Sequence, residues 1–129
     1  MADPSIQVSW GELLDKITIL EIKRRRVRRP EAQANIEREL LALKLALPDQ
    51  SAWPAGAMEL WSALAAVNQR LWSIEDGIRE REAAGRFDAE FIQLARAVYH
   101  ENDERGRIKR SINMLLRSDI VEEKQYNSY

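Results

Sequence analysis

The sequence predicts an all-α protein, a four-helix bundle whose two long C-terminal helices run antiparallel, either as a monomer or as an intertwined dimer. Apolar residues recur at spacings of three and four along most of the chain, which is the period of helices that pack on one side. The four prolines fall at or outside the ends of those runs. Because the chain has 129 residues and no sequence repeat, we expect a single domain over residues 1–129.

Composition and charge exclude several classes of protein. The chain has 20 basic and 21 acidic residues, which is not the basic balance of a dedicated nucleic-acid-binding protein. The lack of cysteine excludes disulfides, thiolate metal sites and cysteine nucleophiles. No stretch approaches the ~20 apolar residues that cross a bilayer, and the N-terminal segment lacks the apolar core of a signal peptide. We therefore expect a soluble, cytoplasmic protein without a membrane partner.

Local signals place the first two helices. Ser9 followed by Glu12 forms a capping box, which predicts a helix over about 9–28. Pro30 cannot continue that helix but suits the first turn of the next one, which predicts a second helix over about 30–47.

The two C-terminal helices have the strongest pattern. The third helix, about 57–84, carries a seam at alternating spacings of four and three, formed by Leu60, Leu64, Val67, Leu71, Ile74 and Ile78. Gly85 suits the end of this helix, and Asp88 can cap a fourth helix over about 88–117. So short a turn predicts an antiparallel hairpin, followed by a tail over 118–129.

A basic run, "KRRRVRR", spans Lys23 to Arg29. At 100° per residue its cations spread around the whole helix, whereas a surface that follows phosphates collects them on one face. Cations at the end of a helix are also favoured by the helix dipole. We interpret the run as a solvated helix end, and nucleic-acid binding is the alternative.

Polar residues interrupt the inward face of the fourth helix, where Asn102 and Arg105 should lie level with Asn68 and Trp72 across the turn. The first helix adds carboxylates to this level. The residues predicted to meet near the centre of the bundle are Glu12, Asp15, Lys16, Asn68, Trp72, Glu75, Asp76, Arg79, Asn102, Asp103, Arg105 and Lys109.

Two interpretations of this cluster remain open. A buried polar network can fix helix register or form a dimer seam, provided that every charge is paired. Alternatively, the cluster lines a pocket in which Arg79, Arg105 and Lys109 bind an anionic ligand against Trp61 and Trp72.

Other chemistry has little support. His100 lies three and four residues before Asp103 and Glu104, a spacing that could ligate a metal, but these side chains lie toward the polar side of their helix. The chain has no glycine-rich phosphate loop, and its single histidine lacks the partners for a catalytic triad. We expect no metal and no cofactor.

Four stretches carry a resemblance to a family of small bacterial proteins of about this length that has no assigned function. They are "VSWGELLDKITILEIK", "VNQRLWSIEDGIR", "FDAEFIQLARAVYHENDERGRIKRSIN" and "VEEKQY". The resemblance covers most of the chain except roughly 24–60, and its motifs include most of the polar cluster. It implies no activity, cofactor or catalytic residue. An association of the family with glycosyltransferase genes hints at an accessory role in the synthesis of surface polysaccharide.

These observations favour a non-catalytic binding or accessory module, with a second copy of the chain, another protein or an anionic small molecule as its partner. One alternative is a small helical enzyme or a receptor for a phosphorylated metabolite, with Glu75 or Asp15 as acid or base. The other is nucleic-acid binding through the basic run, which the balanced charge makes the least favoured of the three.

Overall fold

The all-α prediction is confirmed by a computed structural model, which describes residues 1–128. Tyr129, the last residue of the tail, lies outside the described residues. The helices are α1 (Trp10–Arg26), α2 (Pro30–Lys44), α3 (Ala57–Ala83) and α4 (Ala89–Leu115), with a short 3-10 helix at Gln50–Ala52. The described residues include no strand, and none of their helices has the length and hydrophobicity needed to cross a membrane.

Helix α1 is the central element. It packs against α2 on one side and against the α3–α4 hairpin on the other. Leu13 and Ile17 of α1 join the cluster that it shares with α2, whereas Leu14 joins the cluster with the hairpin. This division explains why the α1 sequence is apolar on two sides.

The expected caps form at both helix starts. The Ser9 hydroxyl accepts a hydrogen bond of 3.1 Å from the Glu12 backbone N–H, and the Asp88 carboxylate accepts one of 3.1 Å from the Phe91 N–H. The Glu12 carboxylate bonds to Lys109 of α4 instead of completing the capping box. Gly85 has φ of +66°, in the left-handed region, so it ends α3 as expected and turns the chain into α4.

The start of α1 approaches the backbone of α4 closely. The Gly11 N–H donates a hydrogen bond of 2.7 Å to Asn113 Oδ1. A Cβ atom at Gly11 would lie 2.6 Å from the carbonyl oxygen of Lys109, so only glycine permits this approach. The contact sets the first half of α1 opposite the carboxyl-terminal half of α4.

Helix α1 covers only the base of the hairpin. The 17 residues of α1 cross two helices of 27 residues each, and no residue in the stretch 69–107 is buried. We call residues 70–104 the arm. The arm therefore projects beyond the core as a pair of helices.

Candidate functional site

Asp15 is the centre of the buried polar network. Its side chain is only 2% exposed, and Arg105 binds both of its oxygens. Arg105 Nε donates to Oδ1 at 2.9 Å, and Nη2 donates to Oδ2. Asn68 Nδ2 also donates to Oδ1, at 2.9 Å. Residues from α1, α3 and α4 thus meet at one carboxylate, with the fork geometry that arginine provides.

Thr18 completes the link between α1 and α3. Its hydroxyl donates to the carbonyl oxygen of Asp15 at 2.8 Å and accepts from Asn68 Nδ2 at 2.7 Å. Both Thr18 and Asn68 are buried. The amide of Asn68 is therefore held by two acceptors of α1.

Lys109 links α1 to the C-terminal tail. Its Nζ donates to Glu12 at 2.7 Å and to Glu122 of the tail at 3.1 Å, and lies 3.8 Å from Asp15 Oδ2. Only 7% of its side chain is exposed. Three carboxylates therefore surround one buried ammonium group.

The network favours the charged form of each member. Burial raises the pKa of Asp15, but the hydrogen bonds from Arg105 and Asn68 outweigh it, so this pKa lies below its ordinary value. The pKa of Glu12 is likewise lowered, because Lys109 outweighs the effect of burial. Burial lowers the pKa of Lys109, but the hydrogen bonds to Glu12 and Glu122 outweigh burial, so this pKa lies above its ordinary value. Among the described residues, no buried polar side-chain atom lacks a partner.

A cleft opens beside this network, where the end of α1 leaves the hairpin. It has a volume of about 570 Å³, and we call it the Trp72 cleft. Its walls are formed by Ile19, Asn68, Leu71, Trp72, Glu75, Asp76, Arg79, Asn102 and Arg105. Seven of these residues belong to the cluster predicted from the sequence. Glu75, Asp76 and Arg79 have no ion pair or hydrogen bond through their side chains within residues 1–128.

A second cleft lies between α4 and the C-terminal tail, and its volume is about 670 Å³. It is lined by Val98, Tyr99, Asn102, Asp103, Arg105, Lys124, Tyr126 and Asn127. Asn102 and Arg105 line both clefts, so the two clefts are neighbours on either side of the Arg105 side chain.

The apolar pair Ile120 and Val121 favours a docked tail from the sequence, and the contacts that hold the tail in the structure are polar. The Ser118 hydroxyl accepts a hydrogen bond of 2.9 Å from the Trp10 N–H, and Glu123 pairs with Arg110 at 3.3 Å. With the Glu122 contact to Lys109, these bonds hold the tail against α4 and the start of α1. The sequence did not predict these polar contacts, because the "EE" pair after α4 does not identify its basic partners.

Three sequence expectations differ from the geometry. Lys16, which was expected in the central cluster, is exposed and pairs with Glu12 at 3.3 Å, outside both clefts. Asp103 lines the cleft at the tail and not the Trp72 cleft. Trp61 does not share a cleft with Trp72, because it packs against Trp53 with ring centroids 5.8 Å apart. The two tryptophans therefore do not line one pocket.

The basic run lies at the end of α1, as expected. Arg24 bonds to Glu21 and lies 3.8 Å from Glu37, and Arg25 donates to Gln69 at 3.3 Å. Part of the run is thus paired with neighbouring helices.

Within residues 1–128, no three histidine, aspartate or glutamate side chains are placed to hold a metal ion.

No curated protein and no solved structure matches the chain. A family model matches residues 5–129, almost the whole chain. The protein therefore belongs to DUF6165, a family of unknown function.

Proposed function

We propose that the protein is a non-catalytic binding module, that the Trp72 cleft is its ligand site, and that the Asp15 network is the scaffold beneath it. The observation that carries this proposal is the difference between the Asp15 network and the Trp72 cleft in how many of their polar side chains have partners. Every buried member of the network has partners, whereas the polar side chains of Glu75, Asp76 and Arg79 converge on an open cleft without partners in the described chain. Convergent polar groups beside an aromatic ring are typical of small-molecule sites.

The charges of the cleft favour an uncharged, hydroxyl-rich ligand such as a saccharide. The positive charge of Arg105 is already balanced by Asp15. The remaining charges are two carboxylates, Glu75 and Asp76, and the guanidinium of Arg79. Carboxylates accept hydrogen bonds from hydroxyl groups and guanidinium donates to them, while the indole of Trp72 offers an apolar surface with an N–H donor.

The receptor for a phosphorylated metabolite is the second candidate, and one observation bears on it. Arg105 and Lys109, the expected anion-binding residues, already bond to carboxylates of the chain. An anion would have to displace these partners or bind to Arg79 alone, next to two carboxylates. Asp15 is a poor candidate for an acid or base near neutral pH, since its lowered pKa keeps it ionised.

A saccharide ligand fits an accessory role in the synthesis of bacterial surface polysaccharide, in the cytoplasm. In this role the protein would hold a sugar chain or precursor without changing it. The proposal predicts affinity without turnover.

The experiment is a thermal-shift and calorimetric screen of the full chain against neutral saccharides, sugar phosphates and nucleotides. The variants are Trp72→Ala and Glu75→Gln, and the matched control is Glu80→Gln, an exposed glutamate on α3 outside the cleft. We expect neutral saccharides to stabilise the parent and the Glu80→Gln variant, and to have little effect on the two cleft variants.

Other outcomes discriminate between the candidates. Stabilisation by sugar phosphates alone would replace the saccharide proposal with the anion receptor. Stabilisation by a saccharide that persists in Trp72→Ala would move the site away from this cleft. Conversion of a bound saccharide into a product would contradict a non-catalytic role.

A further inference from the structure

A further cleft lies at the end of the bundle where α1 begins and α4 ends. It has a volume of about 440 Å³, and we call it the Trp53 cleft. Its walls are formed by Trp10, Trp53, Pro54, Leu115, Leu116 and Arg117. It shares no residue with the Trp72 cleft, and within residues 1–128 no acidic side chain lines it. The Trp53 cleft is thus apolar apart from the single cation of Arg117.

Contacts within the chain fix the walls of the Trp53 cleft. The rings of Trp10 and Trp53 meet edge to face, with their centroids 6.2 Å apart. The Trp10 backbone N–H is held by Ser118 after α4, and a Cβ atom at Gly56 would lie 3.9 Å from Leu115. Both tryptophans are only partly buried, so part of each ring is left for a ligand. Because these walls are already joined, a ligand has little to order when it binds.

Arg117 has a strained backbone conformation. Its φ is +56°, and within residues 1–128 it is the only residue other than glycine with a positive φ. It follows α4 in a cap in which the Ser118 N–H donates to the Asn113 carbonyl at 2.8 Å. In the same cap the Arg117 N–H donates to the Met114 carbonyl at 3.4 Å. The left-handed conformation crowds the Cβ atom of every residue except glycine, so arginine costs stability at this position.

The end of α3 has the same cap with the usual residue. There the Arg86 N–H donates to the Arg81 carbonyl at 2.8 Å, and the Gly85 N–H donates to the Glu82 carbonyl at 3.1 Å. The left-handed position of this cap, with φ of +66°, is occupied by glycine. One chain therefore uses glycine in one cap and arginine in the equivalent position of the other. This difference points to a role for the side chain of Arg117.

The Arg117 side chain is exposed, and it makes no ion pair or hydrogen bond within residues 1–128. It nevertheless lines the Trp53 cleft. An unpaired guanidinium group beside apolar walls can form two parallel hydrogen bonds to a carboxylate or a phosphate. Strained left-handed residues are concentrated at binding sites, where the function of the side chain offsets the strain.

We infer that the Trp53 cleft is a second binding site, which takes a small organic anion with an apolar or aromatic body. The body packs against the rings of Trp10 and Trp53, and the anionic head group bonds to Arg117. Inorganic phosphate has no body to fill the apolar part, and a neutral molecule leaves the guanidinium group without its partner. The site is independent of the proposed saccharide site, because the two clefts share no residue.

The test is a calorimetric titration of the full chain with 4-phenylbutanoate, phenyl phosphate, 4-phenylbutanamide and inorganic phosphate. We expect the two organic anions to bind, the neutral amide to bind about tenfold or more weakly, and inorganic phosphate not to bind. Arg117→Gln should weaken the binding of the organic anions by about tenfold or more. Arg96→Gln is the matched control, since Arg96 is an exposed arginine of α4 that makes no ion pair within residues 1–128 and lies outside the cleft.

Arg117→Gly separates binding from folding. Because it relieves the strained φ, it should raise the melting temperature by about 4 °C while it weakens the organic anions as Arg117→Gln does. Trp72→Ala should bind these anions like the parent.

Four outcomes overturn the proposal. They are no binding of either organic anion, an amide that binds as tightly as the carboxylate, parental affinity in Arg117→Gln, and a lower melting temperature for Arg117→Gly. The last outcome would show that this arginine is present to stabilise the cap.

Discussion

Arg105 of α4 binds both carboxylate oxygens of Asp15 of α1, across 90 positions of sequence. Asp15 is almost fully buried, whereas Arg105 reaches it from the base of the arm, with 24% of its side chain exposed. The pair therefore lies at the boundary between the core and the projecting part of the hairpin. A one-turn slip of α1 along α4 would leave a buried carboxylate without its cation, so the pair fixes the register of the two helices.

The first prediction concerns this pair. Arg105→Met should lower the free energy of unfolding by about 3–5 kcal/mol, because it leaves the Asp15 carboxylate buried with only Asn68 and the more distant Lys109 nearby. Urea unfolding at neutral pH measures the change.

The matched control for this variant is Arg107→Met on the same helix. Arg107 pairs with Glu104 at the surface, and the two side chains are 68% and 44% exposed. Such pairs contribute about 0–1 kcal/mol, so this variant should unfold almost like the parent. Equal stabilities for the parent and Arg105→Met would show that the network is not what holds α1 in place, and would favour a role of Arg105 in the ligand site.

The second prediction is a loss of stability in acid. The carboxyl groups of Glu12 and Asp15 have lowered pKa values in the folded state, against ordinary values of 4.5 and 3.8. The unfolded chain therefore binds protons first as the pH falls, and the stability that these groups contribute is present above about pH 4.5 and is lost below it. Lys109 has a raised pKa, so its contribution is present below 10.5 and is lost at more alkaline pH.

Unfolding free energies measured between pH 7 and pH 3 test the acid limb. The parent should lose stability more steeply than Asp15→Asn, in which the main lowered carboxyl group is absent. Parallel curves for the two proteins would contradict the assignment of this acid dependence to Asp15.

The third prediction concerns the attachment of the tail. Glu122→Gln removes one of the charges that hold the tail to Lys109, and because Glu122 is half exposed the cost to global stability should stay below about 1 kcal/mol. Trypsin should nevertheless cleave after Lys124 faster, since the segment detaches more often. Glu123→Gln is the control, because its pair with Arg110 is exposed on both sides and should matter less. Identical cleavage rates for all three proteins would mean that the tail is held by other contacts.

Much of the fold follows from local signals that act within a few residues. Ser9, Pro30, Gly85 and Asp88 each begin or end a helix where the sequence places them, because capping and proline geometry depend on neighbouring atoms only. The central position of α1 is less evident from such signals. It depends on the close approach at Gly11, which brings together residues about a hundred positions apart.

The candidate site was predictable in composition but not in shape. Trp61 and Trp72 are eleven residues apart and share a face of α3, which suggested a common pocket. Between them Asn68 bonds to Thr18 and Asp15, so α1 crosses α3 at that level and separates the two rings. A crossing point set by tertiary contacts leaves no periodic signal in the sequence.

The final prediction concerns the close approach itself. Gly11→Ala should destabilise the protein by about 1–3 kcal/mol, because the added methyl would lie 2.6 Å from the Lys109 carbonyl and 2.9 Å from Asn113 Oδ1. The first of these neighbours is backbone, so α1 must move away from α4 and stretch the network around Asp15. Gly77→Ala is the control, because its nearest neighbour is the flexible end of Leu94 at 3.2 Å, and the gain in helix propensity offsets a small adjustment. Thermal unfolding of both variants in parallel measures the stability that each one loses. A larger loss for Gly77→Ala than for Gly11→Ala would mean that the tightest helix contact of the fold lies between α3 and α4, and not between α1 and α4.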